Sequence, residues 1–360
     1  MPATSCLLNS RWRQTVFSVG PREYVWLDVF LGAMLRGEWR QFERQLGEGL
    51  DCLAAAADLP AAWPDDGQIE EAGNVFRYER DLITADETIG WLDRAGLTTD
   101  VWTDYLVRRL LRDRLRDGLD GLPQRHPHPV TVEDIDFAAE GLCSGTFDRF
   151  VRVLAGRAAA SVRHGDALDD GTPGAEQMVD RVRTGHAVWL DALPPGEVGD
   201  RVLRLAHLES AFSARARAAA TGHALASQLA RHRLEWTRVD LERVSFDTVD
   251  RAREAVCCVR DDGLTLTEVA IESRCAVRDT RDLLERIEPE LRDVVLCASV
   301  DELVGPVAVG PRHEVVYVVD RRAADLADPI VRARAEAAVV DQMIARAILT
   351  HVRWAERPRS

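Results

Sequence analysis

Seven cysteines are the side chains of this 360-residue sequence with the widest range of chemistry, since a thiol can be a nucleophile, a metal ligand or a disulfide partner. Their number is odd and no two are spaced as C-x-x-C, so a disulfide scaffold is not predicted. Cys257 and Cys258 are adjacent on a predicted helix, where side chains diverge by roughly 100° and cannot easily bind one ion. Cys275 has Arg274 and Arg278 beside it, and a neighbouring guanidinium lowers the pKa of a thiol. We therefore predict reduced thiols.

Several classes of site are excluded by residues that the sequence lacks. All 46 basic residues are arginine and none is lysine, so Schiff-base chemistry, pyridoxal phosphate attachment and the P-loop lysine are excluded. No H-E-x-x-H, G-x-S-x-G or phosphate-binding glycine loop occurs. His126 and His128 have no Cys or His cluster near them, and a zinc site needs three or four ligands. We predict neither a metal nor a cofactor.

Composition and charge restrict the partners. The sequence is 46% hydrophobic and 29% charged, which is typical of a soluble globular protein. Sixty acidic residues against 46 basic ones give a net charge of −14, and such a surface repels phosphate groups. Neither nucleic acid nor a membrane is therefore predicted as a partner. The first residues lack the pattern of a secretory signal, and no window approaches 18 apolar residues, so we predict a cytoplasmic location.

Helical periodicity covers most of the first 233 residues. Pro21 is a plausible first residue of a helix that continues to Gly37, and a second helix is predicted from Glu38 to about Ala57. Thr84 and Glu87 have the spacing of a capping box before a third helix. The aromatic residues of the first two helices are predicted to form core, with a peptide-binding groove as the alternative: Trp26, Phe30, Trp39 and Phe42.

The pattern changes at Leu234. Strand-like segments at 236–246 and 307–319 bracket a helix at 247–261, a short helix that begins with a Thr265–Glu268 capping box, and a helix near 289–298. A last helix runs from 328 to about 354 and has apolar residues four apart on one face, including Val331, Ala335 and Val339. This order predicts an α+β protein that is predominantly helical. Composition divides the chain into a helical N-terminal module at 1–164, a linker at 165–174, a helical segment at 175–233, a small α+β domain at 234–322 and a C-terminal helix at 323–360.

Four short motifs in the α+β domain resemble those of a parvulin-type (PpiC-type) peptidyl-prolyl isomerase. The segment 262–270 looks like the family's "G-x-x-F-x-x-L-A" turn and helix, and 272–275 looks like the segment with its active-site Cys or Asp. Residues 281–283 resemble a decayed "GGDLG" loop, and 302–307 is similar to the "GEVSGPV" entry to the last strands. The helices around the domain resemble the chaperones SurA and PrsA, over residues of about 70–120 and 230–354. The resemblance implies that the C-terminal helix returns to the N-terminal module.

The resemblance also implies a set of site residues. It places Cys275 at the pocket, where the thiol would be a nucleophile, although core packing is the alternative for this side chain. His313 falls near a family histidine and would act as a pocket residue or general base, but a one-residue shift would put Glu314 there instead. As residues that contact a bound peptide we predict those on or beside the outer strands: Trp236, Asp240, Glu314 and Tyr317.

Two departures from the family pattern decide the predicted function. The segment 234–246 has no histidine where the family's first strand has one, and no glycine lies between Glu272 and Glu288. Efficient proline isomerisation is therefore not expected, and we predict a chaperone-like protein that binds a peptide or unfolded polypeptide. A ribosomally made precursor peptide under maturation, with its modifying enzymes, would fit as the partner. One alternative is an enzyme that modifies such a peptide in the pocket that corresponds to the proline pocket of the family. The other is a weakly active isomerase.

Overall fold

The computed structural model describes residues 7–57, 59–119, 134–162 and 175–355. Their Cα positions divide into two compact units, one formed by Met1–Arg215 with Ile344–Ser360 and the other by Ala216–Met343. The predicted linker at 165–174 lies outside the described residues, as do His126 and His128. Within those residues the fold is mostly helical with two small antiparallel sheets, which confirms the predicted fold class.

The elements of the first unit are, in chain order, β1 (Thr15–Val19), β2 (Arg22–Val25), α1 (Trp26–Arg36), α2 (Trp39–Ala57), α3 (Asp66–Tyr78), α4 (Ala85–Ala95), α5 (Thr99–Leu119), α6 (Asp134–Cys143), α7 (Thr146–Ala160), α8 (Ala175–Gly185), α9 (Ala187–Leu190) and α10 (Pro195–Ala219), the last of which ends in the second unit. Those that follow are α11 (Gly222–Arg231), β3 (Arg238–Phe246), α12 (Val249–Arg260), α13 (Leu266–Glu272), β4 (Val277–Leu283), α14 (Pro289–Cys297), β5 (Leu303–Val309), β6 (Arg312–Arg322), α15 (Pro329–His351) and β7 (Val352–Trp354).

The N-terminal segment differs from its prediction. Instead of a helix from Pro21, the chain forms the hairpin β1–β2, and the helix begins only at Trp26. The hairpin turns at Gly20, which has a φ of 58°, a value that glycine adopts without steric cost. The β-branched residues before this turn favour a strand, and this local preference outweighs the helical spacing of the apolar residues after it.

The C-terminal segment returns to the first unit, as the sequence predicts. Strand β7 pairs with β1 in antiparallel register, with Trp354 opposite Phe17 and Val352 opposite Val19. The end of α15 also lies very close to α7, since a Cβ atom on Gly156 would be 2.6 Å from a methyl carbon of Ile344. Only glycine at that position permits this approach.

Aromatic side chains fill the core of the first unit. Phe30, Trp39 and Phe42 are completely buried, and Trp26 is nearly so. The ring of Phe30 lies 4.7 Å from that of Phe147, within the range of favourable aromatic contacts. Each buried ring contributes on the order of 2 kcal/mol through the loss of its contact with water. These residues are core, as their spacing predicts, and they line no groove.

An antiparallel sheet organises the second unit, with strand order β4-β3-β6-β5. One face packs against α14 through Val239, Leu241 and Val316, and the other packs against α12 and α13 through Val244 and Phe246. Two segments of this sheet differ from the sequence prediction. The predicted single strand at 307–319 is divided by a turn at Gly310, and β4 occupies the segment predicted as a decayed loop.

Two capping boxes and one apolar stripe agree with the sequence. The boxes of Thr84 with Glu87 and of Thr265 with Glu268 begin α4 and α13. The stripe on α15 is buried against Leu225, Trp236 and Leu283 through three residues spaced by four: Val331, Ala335 and Val339. Among the described residues, no helix combines the length and hydrophobicity needed to cross a bilayer.

Candidate functional site

His313 and Glu314 point to opposite faces of the sheet, because successive residues of a strand alternate in direction. His313 is paired with Phe246, whose ring belongs to the cluster under α12 and α13. Glu314 is paired with Ser245, on the face that α14 covers. The register therefore gives the position on the α14 face to the glutamate and not to the histidine.

Glu314 is a buried carboxylate with three hydrogen-bond donors. It is 2% exposed, and it accepts hydrogen bonds from Arg278 Nη2 at 2.8 Å, from Arg243 Nε at 3.3 Å and from the hydroxyl of Ser245. Arg243 and Ser245 are two residues apart on β3, so both point to this face. The three donors hold the carboxylate in place on this face of the sheet.

Arg243 joins the sheet to the start of α14. Its Nη1 and Nη2 atoms donate two parallel hydrogen bonds to the carboxylate of Glu288, the residue before α14, each 2.9 Å long. These hydrogen bonds hold the pKa of Glu288 below its ordinary value. The guanidinium thus serves two carboxylates at once, and it neutralises the charge that Glu314 brings into the sheet face.

The backbone of β5 passes directly beside Glu314. Gly305 has a φ of 128°, and a Cβ atom there would lie 2.8 Å from the carbonyl oxygen of Glu314 and 3.2 Å from Cα of Val315. Both values require glycine at this position. The motif at 302–307 therefore brings the backbone of β5 close to the backbone of β6 at Glu314.

Cys275 and His313 are not brought together. Cys275 packs half-buried beside the α12–α13 cluster, and its thiol lies 3.5 Å from the carbonyl oxygen of Ser273. Nδ1 of His313 is buried and has no hydrogen-bond partner among the described residues, so it makes no hydrogen bond to this thiol. Their catalytic roles stay predictions.

The predicted peptide-binding residues occupy different environments. Trp236 is fully buried, stacks on His232 at 4.8 Å and donates from its indole nitrogen to Glu285. Asp240 accepts a hydrogen bond from Arg322 at 3.2 Å. Tyr317 lies on the face opposite to that of Glu314, and its hydroxyl donates to Asp301 at 3.2 Å. These four residues do not form one surface, and their part in peptide binding stays a prediction.

Several exposed apolar side chains lie in the segment that runs from the end of α3 into α4. Of the fifteen large apolar side chains that are exposed among the described residues, four fall within positions 75–89. Tyr78 and Ile83 are 76% and 74% exposed, Ile89 is 51% exposed and Val75 is 37% exposed. We call these four residues the α3–α4 surface. Sequence reasoning missed it, although Val75 and Tyr78 share a helical face that excludes the core residue Phe76.

A polar cleft of about 490 Å³ lies between α2 and α5, and its lining is Gln41, Arg44, Gln45, Glu48 and Arg112. Arg112 and Gln45 both donate to the carboxylate of Glu140, at 3.3 and 3.0 Å. Burial raises the pKa of Glu140. Two of the lining side chains are thus engaged by this buried carboxylate.

No protein-family model and no curated protein matches the chain. Among solved structures, it is similar to the peptidylprolyl isomerase PrsA from Bacillus anthracis, with 10% identity, 55% of this chain and 95% of that chain covered, and a TM-score of 0.30. For PrsA from Bacillus subtilis the values are 10%, 61%, 86% and 0.21. For a SurA-like chaperone of Campylobacter jejuni, from the pair PEB4 and Cj1289, they are 9%, 60%, 89% and 0.19. The predicted resemblance to PrsA and SurA thus recurs among solved structures.

Proposed function

We propose that this protein binds unfolded or extended polypeptide segments, as a chaperone does, through the α3–α4 surface. The observation that carries the proposal is the exposure of Tyr78 and Ile83, each about three quarters accessible to solvent. Concentrated apolar side chains on a soluble protein mark sites of interaction, whereas isolated ones need no explanation. An extended chain with apolar side chains of its own would cover them.

The α3–α4 surface is held in place from beneath. Phe76 is completely buried and its ring lies 5.4 Å from that of Trp91 on α4. The guanidinium of Arg80 stacks on the other side of the connection, 3.8 Å from the centre of the Phe76 ring. A surface fixed in this way loses little entropy on binding, which favours affinity for a partner.

The sheet of the second unit supports binding rather than catalysis as the main activity. Glu314 has three donors, and Nδ1 of His313 makes no hydrogen bond to the thiol of Cys275. Neither arrangement offers a free base next to a nucleophile. The scaffold that the sequence associates with isomerases would then serve as a supporting domain.

The first experiment measures suppression of aggregation of a chemically unfolded client, such as citrate synthase, by light scattering. The double variant Tyr78→Ser, Ile83→Ser should lose most of the suppression because it removes the two most exposed apolar side chains of the surface. The matched control is Ile271→Ser, Leu349→Ser, which removes side chains that are 71% and 87% exposed elsewhere. Equal loss in both variants would contradict the proposal.

Cys275→Ala and His313→Ala test the enzymatic alternative. Both proteins should protect the client as the unmodified protein does, since neither residue belongs to the α3–α4 surface. Neither the unmodified protein nor the variants should accelerate cis/trans exchange of Xaa-Pro peptides, which takes tens of seconds or more uncatalysed. If the unmodified protein accelerates this exchange and one of the variants does not, the activity belongs to the sheet of the second unit and not to the α3–α4 surface.

A dedicated client in the cytoplasm is the finer part of the proposal: a ribosomally made precursor peptide, presented to its modifying enzymes. The free state of Cys257, Cys258, Cys275 and Cys297 supports a reducing compartment. Affinity capture from the native host, followed by intact-mass analysis of any copurified peptide, tests this part. Recovery of membrane or exported clients alone would contradict it, and a mass that reverts on deletion of the gene would favour a role in modification.

A further inference from the structure

Acidic residues are frequent in the segment that contains the α3–α4 surface. Positions 70–93 contain seven carboxylates and only two arginines, so the formal charge of this segment is −5. Both arginines of the segment donate hydrogen bonds to backbone carbonyl oxygens of the first unit.

The two arginines serve the fold. Arg77 donates from Nη2 to the carbonyl oxygen of Ile83 at 2.7 Å and from Nε to that of Leu82. Arg80 lies over the ring of Phe76 and donates to the carbonyl oxygens of Phe76 and Cys143. These contacts hold the α3–α4 connection and direct both guanidinium groups toward the backbone.

The carboxylates remain on the outside. Glu71, Asp81 and Asp86 are exposed, and Glu71 lies one and two helical turns before Val75 and Tyr78, on the same helical face. Glu87 accepts hydrogen bonds from the backbone and hydroxyl of Thr84, which keep its pKa below the ordinary value and therefore keep it charged at neutral pH. Glu79 is partly compensated by Arg80 and Arg109, at 3.5 and 3.7 Å.

We infer that the α3–α4 surface selects polypeptide segments in which apolar residues are flanked by arginine or lysine. This inference rests on the proposed function and names its substrate class. Apolar side chains of the segment cover Tyr78 and Ile83 while its basic side chains reach the surrounding carboxylates. Acidic segments are repelled by the same groups, so charge gives the selectivity and apolar contact gives the common affinity.

The test uses the full chain and three labelled peptides that share one apolar core and differ in their flanks, which are Arg, Gln or Glu. Fluorescence anisotropy should show the Arg peptide binding about 10-fold more tightly than the Glu peptide at low salt. The difference should shrink in about 0.5 M salt, where the screening length falls to a few ångströms. Affinity for the Gln peptide should change little with salt.

A neutralised variant locates the preference. Glu71→Gln, Asp81→Asn, Asp86→Asn should abolish it without loss of the apolar affinity, and Asn is compatible with the φ of 54° at Asp81. The control variant neutralises three exposed carboxylates of the second unit: Asp261→Asn, Asp262→Asn, Glu272→Gln. It should keep the preference.

The outcomes separate this inference from the proposed function. Equal affinity for all three peptides would overturn the charge selectivity and leave polypeptide binding intact. A preference that survives in the α3–α4 variant would overturn the assignment to this surface. Failure of every peptide to bind, together with failure to protect an unfolded client, would overturn the proposed function itself.

Discussion

The Glu314 network and the α3–α4 surface combine the same side-chain types in opposite ways. In the sheet, the carboxylate is inside and the arginine that neutralises it is inside as well. At the α3–α4 surface, the arginines bind backbone carbonyl groups and the carboxylates remain in water. When buried charged side chains are paired with each other, their hydrogen-bonding atoms are already used. Such a site has few of these atoms left for a ligand. At the α3–α4 surface the arginines bind the backbone instead, and the apolar side chains beside them remain exposed.

Removal of Arg243 should have the largest effect, since it leaves Glu314 charged, buried and short of its partner. Arg243→Ala is expected to lower the free energy of unfolding by about 3 to 5 kcal/mol, measured by urea denaturation. Arg278→Ala is the comparison: it removes another donor of Glu314, but the Arg278 side chain is 57% exposed, so water can take its place and the loss should be smaller. Equal effects of the two substitutions would contradict the view of Glu314 as a closed site.

Gly305→Ala should follow in size. The φ of 128° and the 2.8 Å approach to the carbonyl oxygen of Glu314 both penalise a Cβ atom. A loss of about 2 kcal/mol is expected from backbone strain. Gly310→Asn is the control, because Gly310 has a φ of 55° with open space around it, where Asn is tolerated. A neutral Gly305→Ala would show that β5 can move away from Glu314.

Glu288 makes the sheet side sensitive to acid. Its pKa is lowered in the folded protein by the hydrogen bonds from Arg243, so its contribution is present above the ordinary value of about 4.3 and is lost as pH falls through the lower folded value. The difference in urea midpoint between the unmodified protein and Glu288→Gln should therefore shrink below about pH 4. Because Glu288 is 40% exposed, we expect less than about 1 kcal/mol at neutral pH. If the difference in urea midpoint instead grows as the pH falls, the pKa of Glu288 is not lowered in the folded protein.

The double variant Tyr78→Ser, Ile83→Ser should have the smallest effect on stability. Exposed side chains contribute little to folding, so the change should stay within about 0.5 kcal/mol. Thermal unfolding followed by circular dichroism measures it. A large loss would mean that these side chains serve the fold, and the comparison with the Glu314 network would then fail.

Local signals in the sequence predicted much of the fold. The Thr84–Glu87 and Thr265–Glu268 boxes specify helix starts through groups three residues apart, and Val331, Ala335 and Val339 mark the buried stripe of α15 by their spacing. The hairpin at Gly20 and strand β4 were not predicted. A strand of mostly polar residues such as β4 exists because β3 supplies its hydrogen-bond partners, and that pairing is not visible in the segment itself.

The candidate site was less predictable than the fold. Alternation along β6 identified Glu314 as the residue that a one-residue shift exchanges with His313. Its partner Arg243 is 71 residues away in the chain, and no local pattern connects the two. The α3–α4 surface was missed because apolar residues near a helix end are expected in a core, and only the packing of the first unit leaves Tyr78 in solvent.

The pairing of β7 with β1 has a consequence for synthesis on the ribosome. Phe17 obtains its partner Trp354 only after 336 intervening residues have been made, so the β2-β1-β7 sheet of the first unit stays incomplete until then. Contacts of such long sequence separation slow folding, and β1 keeps an unpaired edge until they form. A protein that we propose to bind unfolded chains would thus itself pass through a period with an exposed edge strand, and its yield should depend on the integrity of residues 352–354.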